Sequence, residues 1–196
     1  MANLTSAQRW WMGAWPHRLR VWWRVPRFLR ACPTPFRGEV LEVGAGKGWT
    51  SRRVLETFPQ VELTAVDVDP AVTQIFGRLR RIYGNRLHVR QADVMSLPFD
   101  RATFDFVLAI NVMQHLRTAE RPQALNELLR VLRPGGLLGL SESSFLSGVS
   151  ADLWEEVKRD LAEENCEVLL ADARGGFDVW ARKEYDARAA LTGTPA

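Results

Sequence analysis

From residue 38 onward, short β-branched or apolar runs alternate with longer stretches of helical periodicity. That alternation is the signature of βαβ units, in which a mostly parallel sheet is covered by helices on both faces. Seven runs read as strands: residues 39–43, 61–67, 87–92, 104–110, 137–141, 167–171 and 177–182. Helices are predicted over 49–58 and over 70–83, the second with Asp69 as N-cap and Pro70 in the first turn. A third is predicted over 119–132, where Leu125, Leu128, Leu129 and Leu132 recur at helical spacing before Pro134-Gly135-Gly136 stops it. Ser150 is placed to cap a fourth, with Leu153, Trp154, Val157 and Leu161 on one face. Between the last two strands only the turn residues Asp172 to Gly176 remain, so those strands are expected to be antiparallel neighbours. The fold class is α/β.

Composition narrows the class. At 196 residues, 46% apolar and 25% charged, without repeats, the chain has the make-up of one globular domain, which excludes collagen, disordered and solenoid classes. It contains no apolar run of spanning length and no unbroken apolar stretch of a signal peptide. Cys32 and Cys166 fit neither a disulfide scaffold nor a metal knuckle, so a cytoplasmic setting is expected. Charge is unevenly spread: residues 1–38 hold seven arginines, no acid and five of the eight tryptophans. The chain therefore divides into a basic, Trp-rich segment (1–37), a main domain (38–185) and a tail expected to be flexible (186–196).

The strongest local signal is VLEVGAGKG at 40–48, a buried strand running into glycines and then into a helix near Trp49. Such an edge lets backbone approach a ligand and points amides at it. A phosphate-binding P-loop needs glycine at 41 and Ser or Thr at 48, where Leu41 and Gly48 stand. A dinucleotide fingerprint starts acceptably at Gly44 and Gly46, but its third small residue falls on Trp49. What remains is an acid, Glu42, two residues before Gly44, with Gly44, Gly46 and Gly48 spaced by two. Further on stand VDVDP at 66–70, QADVMSLPF at 91–99, FDFVLAINVMQHL at 104–116 and RVLRPGGLL at 130–138.

In the order and spacing of these motifs, residues 36–183 resemble the class I S-adenosylmethionine-dependent methyltransferases, more narrowly the small-molecule group that includes the ubiquinone-biosynthesis type. The resemblance implies a doubly wound, seven-stranded, mostly parallel sheet of order 3-2-1-4-5-7-6, its last strand antiparallel. It implies methyl transfer from S-adenosylmethionine by in-line displacement to a small-molecule acceptor, with a phospholipid or membrane-associated acceptor as the alternative. Glu42 and the loop Gly44, Ala45, Gly46 and Gly48 are then expected to hold the methionine end. Asp67, next to Val68, is placed to accept from the ribose hydroxyls, unless Asp69 does so. The resemblance also implies that Asp93 accepts from the adenine amino group while Val94 offers its amide; alternatively Asp93 caps a turn. Asn111 is expected beside the sulfonium methyl. His115 is the candidate base, or else a histidine packed beneath the site, with His17 as a substitute and His88 far from the chemistry.

Absences narrow the acceptor. Asn111 and Ser141-Glu142-Ser143 stand where metal-dependent relatives carry acids, so no metal is expected. Asn111-Val112-Met113-Gln114 lacks the proline and aromatic of base-amine methylation, which disfavours nucleic-acid bases as acceptors. In the head, Trp11, Trp15, Leu19, Trp22, Trp23 and Pro26 follow helical spacing with arginines on the flanks, and Pro16 is suited to start a helix. Three uses are open: a lid packed on the core, peripheral contact with an anionic membrane through residues 1–30, or a grip on a nucleic-acid backbone, the least favoured. A nicotinamide oxidoreductase and a non-catalytic protein that keeps the pocket are the two other classes, and oligomeric state stays open.

Overall fold

In the computed structural model, which describes residues 15–143, 151–173 and 176–184, all seven apolar runs are strands of one sheet. They are β1 (Gly38–Val43), β2 (Val61–Asp67), β3 (Leu87–Gln91), β4 (Phe104–Ile110), β5 (Leu132–Ser143), β6 (Cys166–Asp172) and β7 (Gly176–Lys183), in the order 3-2-1-4-5-7-6. Pairing is parallel from β3 through β5, and β7 runs antiparallel to both β5 and β6. The helices are α1 (Trp15–Arg30), α2 (Trp49–Thr57), α3 (Val72–Ile75), α4 (Gly77–Tyr83), α5 (Arg121–Val131) and α6 (Ala151–Glu163).

The central strands are mostly apolar because both of their faces are covered. Along β1, Val40 joins a core with Val25, Phe28 and Leu29 of α1, Val54 and Leu55 of α2, and Phe76. Leu41 and Val43 point the other way, into a core with Leu125 and Leu128 of α5 and Leu153, Val157 and Leu161 of α6. Trp180 of β7 anchors the first layer: its ring stacks on Phe28 at 4.7 Å and its indole N–H donates to the Phe28 carbonyl. Gly139 lies opposite Trp180 in the β5–β7 register, and a Cβ there would come within 2.8 Å of the indole.

Three local expectations are corrected. The helix expected over 70–83 is two, because Phe76 is wholly buried beneath the glycine-rich loop and Gly77, a poor helix former, follows it. The strand expected from 137 begins at Leu132, directly after α5. Leu132 pairs with Phe104 ahead of a register shift, and Gly136 sits where a Cβ would meet two carbonyl oxygens at 2.8 Å. In the head, Trp23 does not join the buried stripe: it is 70% exposed, and Val25, Phe28 and Leu29 form the packed face of α1. Trp11, Ser150 and the tail 186–196 lie outside the described residues, as do the side chains of Trp15, His17, Leu19 and Trp22. No described helix is long and apolar enough to cross a membrane.

Candidate functional site

The strand order reverses between β1 and β4: the chain leaves β1 for α2 on one face and β4 for α5 on the other. Loops that part in this way open a crevice at the carboxyl ends of the strands, where open α/β sheets bind ligands. Two backbones meet there. Gly44, at φ 70°, lies so close to the segment leaving β4 that a Cβ would fall 2.6 Å from Val112 Cγ2. Gly48, at φ 73°, leads into α2 over Phe76, whose ring a Cβ would meet at 3.0 Å. Ala45 N–H donates to the Val66 carbonyl, which ties the loop to β2.

Four acids border this edge. Asp67, at the end of β2, accepts from Gly46 N–H through Oδ2 (2.8 Å) and from Asp69 N–H through Oδ1 (2.9 Å). One carboxylate thus joins the loop after β1 to the turn after β2, with a further lone pair on each oxygen. Asp69 Oδ1 accepts from Ala71 N–H, which occupies it locally as a turn cap. Asp93, beyond β3, caps a turn in the same way, accepting from Met95 N–H at 2.8 Å through Oδ1 beside the buried Val94, and keeps its other oxygen for a further donor. Val68 is exposed. Glu42 is only 2% exposed and accepts from the Ser51 hydroxyl of α2. Burial pushes its pKa up to about 8 against the pull of that hydrogen bond, and the nearby Asp67 charge adds to the rise.

Beyond β4, Asn111 takes a left-handed conformation (φ 57°), and its amide oxygen accepts from Ser143 N–H at the end of β5. His115 follows on a short 3-10 turn and is exposed, while local packing holds its pKa below the usual imidazole value. Among the described residues, no group of three or more His, Cys, Asp or Glu side chains is arranged to hold a metal ion.

Comparison with known proteins agrees with this architecture. A family model described as a methyltransferase domain matches residues 40–136, the stretch that contains Glu42, Asp67, Asp69 and Asp93. Residues 40–136 form a class I S-adenosylmethionine-dependent methyltransferase domain. Its relatives include a demethylmenaquinone methyltransferase of Clavibacter sepedonicus, 34% identical over 62% of this chain and 47% of that one. Another is a phthiotriol/phenolphthiotriol dimycocerosates methyltransferase of Mycobacterium tuberculosis, 31% identical over 67% of this chain and 49% of that one. The chain thus spans about half the length of these relatives. A SAM-dependent methyltransferase from Aquifex aeolicus shares the fold, with a TM-score of 0.74 at 20% identity over 92% of this chain and 100% of that one.

The family is one of enzymes whose cofactor is S-adenosylmethionine. The donor set of the methyltransferase crevice fits that molecule: acceptors for hydroxyl and amino groups, a buried carboxyl for an ammonium, and a glycine cradle that a Cβ would fill. Two site features were missed from the sequence. Ser51, wholly buried, is the partner of Glu42. Glu142, also wholly buried, accepts from the amides that follow β4. A signal for Glu142 existed, because it continues the alternation of the core-facing Leu138 and Leu140, where a charge has no reason to stand unless it is hydrogen-bonded.

Proposed function

We propose that this chain transfers the methyl group of S-adenosylmethionine by in-line displacement to a small amphiphilic acceptor. The observation that carries the reading is the sheet edge where the loop after β1 packs Gly44 against Val112, bordered by Glu42, Asp67 and Asp93 at three successive strand ends. When bound, the cofactor supplies an electrophilic methyl on a positively charged sulfur. Asp67 keeps acceptor capacity for the ribose hydroxyls beyond its two amide bonds, Asp93 and Val94 face the adenine, and Glu42 with the loop Gly44–Gly48 takes the methionine end. Asn111 borders the methyl. His115 takes up the acceptor's proton, and its exposure supports that role over packing beneath the site. Alignment of acceptor and methyl is the larger contribution, about 7–11 kcal/mol, against roughly 3–5 kcal/mol for a general base.

Two observations favour an amphiphilic acceptor met at a membrane surface. The relatives named above carry a quinone and a lipid in their names. On α1, Trp23, Arg27 and Arg30 lie exposed together, without an acid on that helix, which suits an anionic interface. Removing residues 1–30 is a poor test, because Val25, Phe28 and Leu29 belong to the core. The triple variant Trp23→Ala, Arg27→Gln, Arg30→Gln is expected to lose pelleting with anionic vesicles while keeping its thermal midpoint; unchanged pelleting refutes the membrane reading. For the reaction itself, calorimetry should detect S-adenosylhomocysteine binding, and tritium from labelled cofactor should pass to a quinol or lipid in an acceptor panel. No binding refutes the cofactor assignment, and binding without any labelled acceptor refutes transfer.

A further inference from the structure

Glu142 sits at the end of β5 with its side chain wholly buried, on the core-facing side it shares with Leu138 and Leu140. A carboxylate at such a place is costly unless its oxygens are occupied. They are. Oε1 accepts from Val112 N–H at 2.9 Å and Met113 N–H at 2.8 Å, and Oε2 accepts from Gln114 N–H at 3.4 Å. Three successive amides of the segment leaving β4 therefore converge on one side chain from the neighbouring strand. Immediately before them, Asn111 is held at positive φ, a conformation that persists in a non-glycine residue when its surroundings enforce it. Asn111 N–H donates to the Ser141 carbonyl and its amide oxygen accepts from Ser143 N–H, so the ends of β4 and β5 are laced in both directions.

The strand end that carries Glu142 is itself fixed from the opposite face. Arg24 of α1 donates to the Glu142 carbonyl at 2.9 Å, to the Phe177 carbonyl at 3.2 Å and to Asp178 Oδ1 at 2.8 Å. The Ser141 hydroxyl donates to that same carboxylate oxygen. Val112, the first residue that Glu142 holds, is the one packed against Gly44 where the loops after β1 and β4 meet. A small shift of the segment thus moves the packing of Val112 on Gly44, at the edge where the loops after β1 and β4 meet.

We propose that Glu142 is a positioning residue for methyl transfer, which through the amides of Val112, Met113 and Gln114 sets the wall facing Gly44 along the methionine end of the cofactor. The proposal rests on the crevice being the S-adenosylmethionine site. Glu142 touches no ligand, being enclosed on all sides, and it acts only through that backbone.

The test compares two ligands that differ in whether they carry the methionine part. Nitrogen-15-labelled protein, wild type and Glu142→Gln, is titrated with S-adenosylhomocysteine and separately with adenosine. In the wild type, S-adenosylhomocysteine is expected to move the amide resonances of Val112, Met113 and Gln114, and adenosine to leave them in place. Glu142→Gln, which replaces an acceptor oxygen by an NH2 group, is expected to weaken S-adenosylhomocysteine roughly ten-fold and adenosine not at all. Equal losses for both ligands indicate a merely structural residue and overturn the proposal, as does unchanged S-adenosylhomocysteine affinity. If the variant does not fold, the wild-type resonances decide, and amides unmoved by S-adenosylhomocysteine overturn it. A wild type that binds no S-adenosylhomocysteine brings down the functional reading as a whole, an outcome distinct from failure at Glu142 alone.

Discussion

Replacing Glu42 by glutamine should remove a pH dependence that burial builds into this domain. The carboxyl is 2% exposed, and its pKa is pushed from 4.5 to about 8. Between those two values the folded protein holds a proton that the unfolded chain has released, so stability must fall as pH rises. The slope is about 1.36 kcal/mol per pH unit, which over this window amounts to on the order of 5 kcal/mol, complete above pH 8. Glu142, pushed up to about 7 by burial against the pull of its amide donors, adds a slope of the same sign between 4.5 and 7. Glutamine at 42 keeps the shape and an acceptor oxygen for Ser51, and it has no proton to lose. Urea unfolding of the wild type and Glu42→Gln between pH 5 and 9 reads the effect. The stability advantage of the variant should grow by roughly 1 kcal/mol per unit up to pH 8 and then level off. A difference that stays constant from pH 5 to 9 refutes the reasoning, because it means that Glu42 keeps one protonation state throughout.

The same carboxyl links to the ligand: if it meets the methionine ammonium, S-adenosylhomocysteine binding at pH 7 should release a proton. Calorimetry in two buffers of different ionisation enthalpy measures that release, and identical heats refute it. Asp67→Ala should weaken S-adenosylhomocysteine by roughly 1–3 kcal/mol, since it removes the ribose acceptor along with the partner of Gly46 and Asp69 amides. A loss seen instead with Asp69→Ala reverses the assignment. Gly139→Ala should cost about 1–3 kcal/mol in urea unfolding, because its methyl group meets the Trp180 ring at 2.8 Å and Leu108 at 2.9 Å. Wild-type stability in that variant disproves the close packing of β5 on β7.

Much of the fold is legible in the amino-acid order, and the reason is local. Strands covered on both faces are rich in β-branched and apolar residues, so β1, β2 and β4 lie within a residue of their expected limits. The turn between β6 and β7 is too short for a crossover, which dictates their antiparallel pairing. Acids at or just beyond a strand end, such as Asp67 and Asp93, fall by that position alone at the edge where ligands bind.

What depends on distant partners could not be read in this way. Trp23 and Phe28 are equally apolar, and only the docking of α1 on β7 turns Phe28 onto Trp180 and leaves Trp23 in solvent. The break at Phe76 follows from the space beneath Gly48. The use of Glu142 follows from the β4–β5 register, which brings residues thirty positions apart within hydrogen-bonding distance. Spacing along a chain reports which side chains want burial and where a turn can form. Which face meets which, and which buried charge finds its donors, is decided only when separate strands are brought side by side, because those energies belong to pairs of elements.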